Sequence, residues 1–336
     1  MSRERLFTGL VVAATILLVA LALEAFVRLA VDDGMQFDLE MWKYAREVKR
    51  VSADPRIGHE HRPSATAHLM GVDVAINSHK FRDREIGFER TPDSLRIMML
   101  GDSLTFGWGV PNDKTFVKRL EAMIHATGVQ AEVINAGVGN YNTSMEVAAY
   151  LSEGHRFRPD ILVLNYFIND AERTPRYDSH RLERTSAAYI YFASRIDVAA
   201  RMLGLGSRRP WYDYLRDLYD SSSPTSGWAE VEAAVARLAE FCRARGTMVL
   251  VTNLPELRQL KPYPFERERT MVQALANRLD LPYLDLLPAV DDLEPGRLWV
   301  TPTDPHPNIL ADERFAAAIF DFLRARNLLR TTNHGN

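Results

Sequence analysis

The stretch Ile97–Val110, IMMLGDSLTFGWGV, runs four apolar residues straight into a glycine, an acid and a serine. With Leu95 and Arg96 before it, the run LRIMMLG reads as a strand covered on both faces, because a short continuous apolar run closed by a turn signal is how such a strand is written. Glycine lets the chain turn sharply, and the residues after it open a helix whose free N–H groups face outward. Ser103 thus stands at the carboxyl end of a strand and the amino end of a helix. A serine there is a favoured helix cap, and whether it is also a nucleophile depends on the rest of the chain.

Four similar runs follow: AEVINAG at 131–137, DILVLNYF at 160–167, TMVLVTN at 247–253 and PYLDL at 282–286. Helical patterns over 113–127, 142–157, 264–279 and 308–327 separate or follow them, and such alternation predicts a parallel sheet covered on both faces. The expected fold is an α/β/α sandwich on five parallel strands. One connection is much longer, with helical segments from Ala187 to Leu203 and from Trp228 to Arg245. It is expected as an insertion at about 184–245 beside the site, SSSPTSG at 221–227 being its clearest loop. Residues from about 34 to 93 are polar and interrupted, and predict short strands and turns in a neck or edge extension. The division expected is an anchor over 1–30, the neck over 31–93 and the main domain over 94–327.

The chain has 336 residues, 46% hydrophobic and 25% charged, which is ordinary globular composition. A net charge of −3 with acids and bases interspersed supplies no basic field for a phosphate backbone, so nucleic acid is excluded as an expected partner. Cys242 is the only cysteine, which rules out an intrachain disulfide and a cysteine-rich zinc site.

From Leu6 to Leu23 the chain carries no charge, and at about 1.5 Å per residue this run nearly spans a ~30 Å hydrocarbon core. A cleaved signal peptide is the competing reading, with Ala20-Leu21-Ala22 as its site, but the apolar run exceeds the usual core of such peptides. An uncleaved anchor is expected. Arg3 and Arg5 precede the run, whereas Glu24, Arg28, Asp32 and Asp33 follow it. The positive-inside tendency places the N-terminus in the cytoplasm and the remainder outside, as a single-pass protein of the cell membrane with its main domain on the periplasmic side.

In open α/β sheets ligands bind outside the carboxyl ends of the strands. Four segments there carry polar residues of the right kind. Gly101-Asp102-Ser103 offers a hydroxyl. Asn135-Ala136-Gly137-Val138-Gly139-Asn140 offers backbone N–H groups that can approach a ligand closely. Asn165-Tyr166-Phe167-Ile168-Asn169-Asp170 offers an amide able to hold an oxyanion. Thr303-Asp304-Pro305-His306-Pro307-Asn308 offers a histidine and a carboxylate. Serine, histidine and carboxylate are the parts of an activated hydroxyl nucleophile. Each has a plain structural reading as cap or turn residue when taken alone, and their common placement at strand ends favours chemistry.

The segments GDSL, NAGVGNYNT, IND and DPHPN resemble, in order, the four sequence blocks of the SGNH/GDSL hydrolase family, over about residues 95 to 325. The resemblance implies a flavodoxin-like sandwich and metal-free, serine-dependent hydrolysis of esters. It also implies Ser103 as nucleophile, His306 as base and Asp304 as the carboxylate that orients it, with the Ser103 N–H, a Gly139-region N–H and the Asn169 side chain as the oxyanion hole. The family's acid usually stands three residues before the histidine, where this chain has Thr303. Asp304 is two before, with Asp291 and Asp292 as more remote substitutes. Phe167 replaces the usual glycine of the third block, and the donor of the second block aligns with either Gly139 or Asn140.

His59-Glu60-His61 lacks a third clear ligand, so no metal and no cofactor are expected. Tyr189, Tyr191, Phe192, Trp211, Tyr212 and Tyr214 make the insertion aromatic, as core or as a wall for sugar or acyl groups. The expected function is an esterase or deacylase working through acyl-Ser103 on an O-acylated small molecule or glycan outside the cytoplasm. A polysaccharide O-acyltransferase is the alternative within the fold, and a non-catalytic glycan-binding or assembly subunit the alternative of another class.

Overall fold

The computed structural model describes residues 3–175, 181–202 and 210–329. Helix α1 (Arg3–Phe26) continues through a π turn at Val27–Val31 and is followed by α2 (Phe37–Glu47). Two small antiparallel pairs come next, β1 (Lys49–Val51) with β2 (His59–His61) and β3 (Thr66–Leu69) with β4 (Val72–Ala75). The central elements then alternate: β5 (Leu95–Gly101), α3 (Ser103–Phe106), α4 (Phe116–His125), β6 (Ala131–Gly137), α5 (Thr143–Ser152) and β7 (Ile161–Tyr166). Helices α6 (Arg181–Thr185), α7 (Ala187–Met202), α8 (Trp211–Asp217) and α9 (Trp228–Arg243) lead to β8 (Met248–Asn253), α10 (Glu266–Arg278) and β9 (Tyr283–Asp285). A hairpin of β10 (Trp299–Thr301) and β11 (Asp304–Pro307) precedes the last helix, α11 (Ile309–Ala325).

The expected five parallel strands form one sheet in the order β6-β5-β7-β8-β9. Strand β5 lies between β6 and β7 and is buried along its whole length. Its side chains alternate between layers, as a period of two requires. Leu95, Ile97 and Met99 pack with Leu120 and Ile124 of α4 and with Phe315 and Ile319 of α11. Met98 and Leu100 pack on the other face with Val147 and Tyr150 of α5 and Val235 and Leu238 of α9. Gly101 pairs with Gly137 in register, so the ends of β5 and β6 coincide. Both glycines are sterically required: a Cβ at Gly137 would lie 2.3 Å from the Phe106 nitrogen, and one at Gly101 would lie 2.0 Å from Thr105 Oγ1. The first turn of α3 therefore rests directly on β6.

The neck departs from expectation in one element. Phe37–Glu47 is a helix, although Leu39, Trp42 and Tyr44 do not make a single apolar stripe. They are buried against two different neighbours. Leu39 and Trp42 pack with Ala187 and Ala188 of α7, while Tyr44 packs with Phe106 and Trp108 beside the central sheet. A helix covered on two sides loses the one-sided pattern by which it is recognised. The segment expected as an insertion also divides: α9 packs beside α5 as a covering helix of the sandwich, whereas α7 joins α2 and the π turn that ends α1. The expectation for Leu203 and the residues up to 209 lies outside the described residues.

Helix α1 buries none of its residues, and Phe7, Ile16 and Leu18 are among its exposed apolar side chains. It is long and apolar enough to cross a membrane. Near its end, Glu24 accepts hydrogen bonds from the N–H groups of Ala187 and Ala188 and from the Ser186 hydroxyl. That carboxylate caps α7, so helix α1 and the long connection are tied together.

Candidate active site

Ser103 is the first residue of α3, and Asp102 before it caps the helix by accepting the Leu104 N–H at 2.8 Å. The cap expected at Ser103 is thus supplied by Asp102, and the serine hydroxyl is left for other work. Ser103 Oγ lies 2.9 Å from His306 Nε2. On the other side of the ring, His306 Nδ1 donates to Asp304 Oδ1 at 2.5 Å. With Nδ1 carrying its proton toward the carboxylate, Nε2 presents a lone pair to the serine.

Asp304 and His306 lie on β11, where residues two apart share a face. That is why a spacing of two serves here in place of three. Thr303 sits in the hairpin turn, and Asp291 and Asp292 pair instead with Lys261 and Arg314. Asp304 also accepts the indole N–H of Trp108 at 3.0 Å and the His306 backbone N–H at 3.1 Å. Burial pushes the Asp304 carboxyl up, but the His306 bond and charge, with these N–H donors, hold it below the usual carboxylate range. The acid stays ionised. Phe37 of α2 stacks on the His306 ring at 5.7 Å between centroids and limits its rotation.

A cavity of about 370 Å³ opens over Ser103 and His306, and Asn140, Asn169, Phe167 and Trp211 also line it. Asn169 lies in the short 3₁₀ turn after β7, and its Oδ1 is buried with no hydrogen-bond partner among the described residues. Phe167 places its ring at the cavity where the resemblance led one to expect glycine. Its N–H donates to Asp170 Oδ2, which fixes the turn that carries Asn169. Of the aromatic residues named above in the long connection, Trp211 lines the cavity, and its indole nitrogen is buried without a partner among the described residues. Tyr214 donates instead to Glu172, and Tyr212 packs on Phe265.

Gly139, expected as a candidate oxyanion donor, is corrected by the structure. Its N–H donates to Tyr44 Oη at 3.0 Å, and a Cβ there would lie 2.7 Å from the Tyr44 ring, so this amide faces α2 and not the cavity. Asn140 follows at φ 64°, a left-handed conformation that asparagine tolerates better than most residues. No acceptor takes the Asn140 N–H among the described residues. His59 and His61, weighed above as a metal pair, serve this same turn. His59 Nε2 faces the Gly139 carbonyl at 3.1 Å, and His61 Nε2 meets Tyr44 Oη at 2.6 Å. Burial brings the pKa of His59 down to about 2 and that of His61 to about 3, so both rings are neutral.

Sequence reading missed several residues that shape the site. Arg82 is fully buried and donates to the carbonyls of Phe106, Gly107 and Val110, which closes the turn after α3. Trp108, five residues after Ser103, carried the one legible signal, being a large polar-tipped side chain in an apolar stretch. Behind the site lie three buried acids. Burial raises Asp102 to about 6, and burial with repulsion from neighbouring carboxylates, Asp102 among them, raises Glu146 and Asp170 well above the usual values.

A parallel sandwich whose Ser–His–Asp constellation sits at the carboxyl ends of its strands defines the class of α/β ester hydrolases. Residues 99–313 match the family model described as GDSL-like Lipase/Acylhydrolase. The chain belongs to that family and is an enzyme acting on ester bonds. Among solved structures it is similar to TesA, at 16% identity and a TM-score of 0.46 over 68% of this chain and 98% of that one. It is likewise similar to a lipase/acylhydrolase from Enterococcus faecalis, at 16% identity and a TM-score of 0.44 over 69% and 96% of the two chains. An acetyl-xylooligosaccharide esterase from Geobacillus Stearmophilus, a mutant form, matches at 14% identity and a TM-score of 0.44, over 69% of this chain and 94% of that one. No curated protein matches the chain.

Proposed function

We propose that the enzyme hydrolyses its ester through a covalent acyl-Ser103. The observation that carries this reading is the unbroken relay from Ser103 Oγ through His306 to Asp304. His306 Nε2 takes the hydroxyl proton as Oγ attacks the ester carbonyl, and Asp304 holds the ring in the tautomer that can accept it. The tetrahedral oxyanion is met by the Ser103 N–H, the Asn140 N–H and the Asn169 amide. Collapse breaks the ester C–O bond, and His306 returns the proton to the leaving alcohol. Water then attacks the acyl-serine by the same route, releasing the acid and restoring the hydroxyl.

The substrate we favour is an O-acylated glycan outside the cytoplasm. Two features support it: the basic residues Arg3 and Arg5 precede the apolar helix, and Trp211 offers a flat ring and an uncommitted indole N–H at the cavity. Phe37, Met41 and Phe167 supply apolar wall for a short acyl group. The test is hydrolysis of p-nitrophenyl acetate by the full chain in detergent, wild type against Ser103→Ala. Loss of all but background turnover in the variant is expected, and equal turnover by both proteins overturns the reading. Location is tested by fusing a reporter active only in the cytoplasm after α11. Silence is expected, and activity reverses the orientation.

A further inference from the structure

We propose that Lys49, which lies in the neck and outside the family-matched residues, is a positioning residue that fixes and polarises the peptide unit donating to the oxyanion. The proposal rests on the Asn140 N–H being an oxyanion donor, as argued above. Lys49 pairs opposite His61 in the β1–β2 ribbon, and its side chain is buried. Its ammonium nitrogen donates to the Gly139 carbonyl oxygen and, at 2.9 Å, to Asn140 Oδ1. It also sits 4.4 Å from the centre of the Tyr44 ring.

The Gly139 carbonyl and the Asn140 N–H belong to one peptide group. A trans peptide is planar and points its C=O and N–H in opposite directions, so holding the oxygen sets the direction of the hydrogen. Two donors hold this oxygen, Lys49 Nζ and His59 Nε2. The preceding amide is held as well, since the Gly139 N–H donates to Tyr44 Oη, which in turn meets His61. The peptide that carries the Asn140 N–H thus has its plane fixed on the neck side, while Asn140 lines the cavity with Ser103. A strong donor on a carbonyl also draws charge through the amide and makes its N–H a better donor, as hydrogen bonds in chains reinforce one another.

The cost of this arrangement argues against a purely structural role. A buried amine is expensive unless paired, and among the described residues the hydrogen-bond acceptors of Lys49 are a carbonyl and an amide oxygen, with no carboxylate. Its donors go to the turn alone. Burial holds the amine well below the usual lysine value, and in either protonation state it keeps an N–H for the Gly139 oxygen.

The test is steady-state hydrolysis of p-nitrophenyl acetate by the full chain, with thermal unfolding measured in parallel, for wild type, Lys49→Met, Lys49→Ala, Lys49→Arg and Ser103→Ala. Lys49→Met is expected to lower kcat by roughly 10- to 100-fold, below or at the loss that follows removal of a whole oxyanion donor. KM should stay within about twofold and the unfolding temperature should not fall. Lys49→Arg should recover part of the rate, because it restores a donor to the Gly139 oxygen. A folded Lys49→Met with wild-type kcat overturns the proposal, as does a loss carried wholly by KM. If Lys49→Met does not fold, Lys49→Ala decides: a lower kcat at native stability supports the proposal, and an unchanged kcat overturns it. Undiminished turnover in Ser103→Ala would instead overturn the acyl-serine reading, so the two failures are told apart.

Discussion

Asp304 and His306 stand two residues apart on one face of β11, joined by a 2.5 Å hydrogen bond from ring to carboxylate. Asp304→Asn should keep the shape and lose the correct tautomer, since an amide can turn its N–H toward Nδ1. We expect kcat to fall by as much as about 10⁴-fold with little change in KM. Moving the acid one residue back, in Thr303→Asp with Asp304→Ala, should not restore the rate, because position 303 lies in the turn. Recovery in that double variant would show that strand geometry does not set the spacing.

How the site was read from the chain follows the same logic of distance. Strand β5 and Ser103 were legible because apolar run, glycine and serine are contiguous, and the local pattern is the cause of the local structure. Asp304 was legible as the nearest acid, and the hairpin explains its offset. Lys49 was not legible: an isolated lysine beside Arg50 reads as a solvated charge, and the carbonyl it binds is 90 residues away. The helix at Phe37–Glu47 was hidden because two separate partners cover it. What the sequence concealed is the way the neck grips the turn at Gly139 and Asn140.

Asn169→Ala separates catalysis from folding. The Asn169 side chain makes no hydrogen bond among the described residues, and its Oδ1 is an orphan. Removing it should leave the unfolding temperature within about 1 °C to 2 °C, in line with a substitution that breaks no contact. The rate constant kcat should drop by roughly 10²- to 10³-fold, the loss typical of one oxyanion donor. A large fall in stability with kcat retained would make Asn169 a structural residue.

Trp108→Phe removes the indole donor to Asp304 while keeping most of the ring. A buried carboxylate oxygen left without that partner should cost about 1–3 kcal/mol of stability by denaturant titration. Turnover should fall as well, because Asp304 is then held only from the His306 side. Unchanged stability would mean that another donor replaces the indole.

Glu146→Gln tests the buried acids by pH. Burial first, and the nearby Asp170 and Asp102 carboxyls second, raise the Glu146 pKa well above its ordinary 4.5. Across the window between the unfolded and folded values, the native state therefore holds a proton that the unfolded state has released, and stability declines as pH rises. The Gln variant has no such loss. Its unfolding temperature should match wild type below about pH 4 and exceed it increasingly toward neutral pH. A gap that is largest in acid and closes at neutral pH would reverse the sign and refute the account of Glu146.

The most direct measurement of the central claim is mass spectrometry of the enzyme quenched in acid during turnover of p-nitrophenyl acetate. One acetyl group is predicted on the peptide that contains Ser103, absent from Ser103→Ala and enriched in Asn169→Ala if deacylation slows more than acylation. An acetyl group on another residue, together with undiminished hydrolysis by Ser103→Ala, would contradict it.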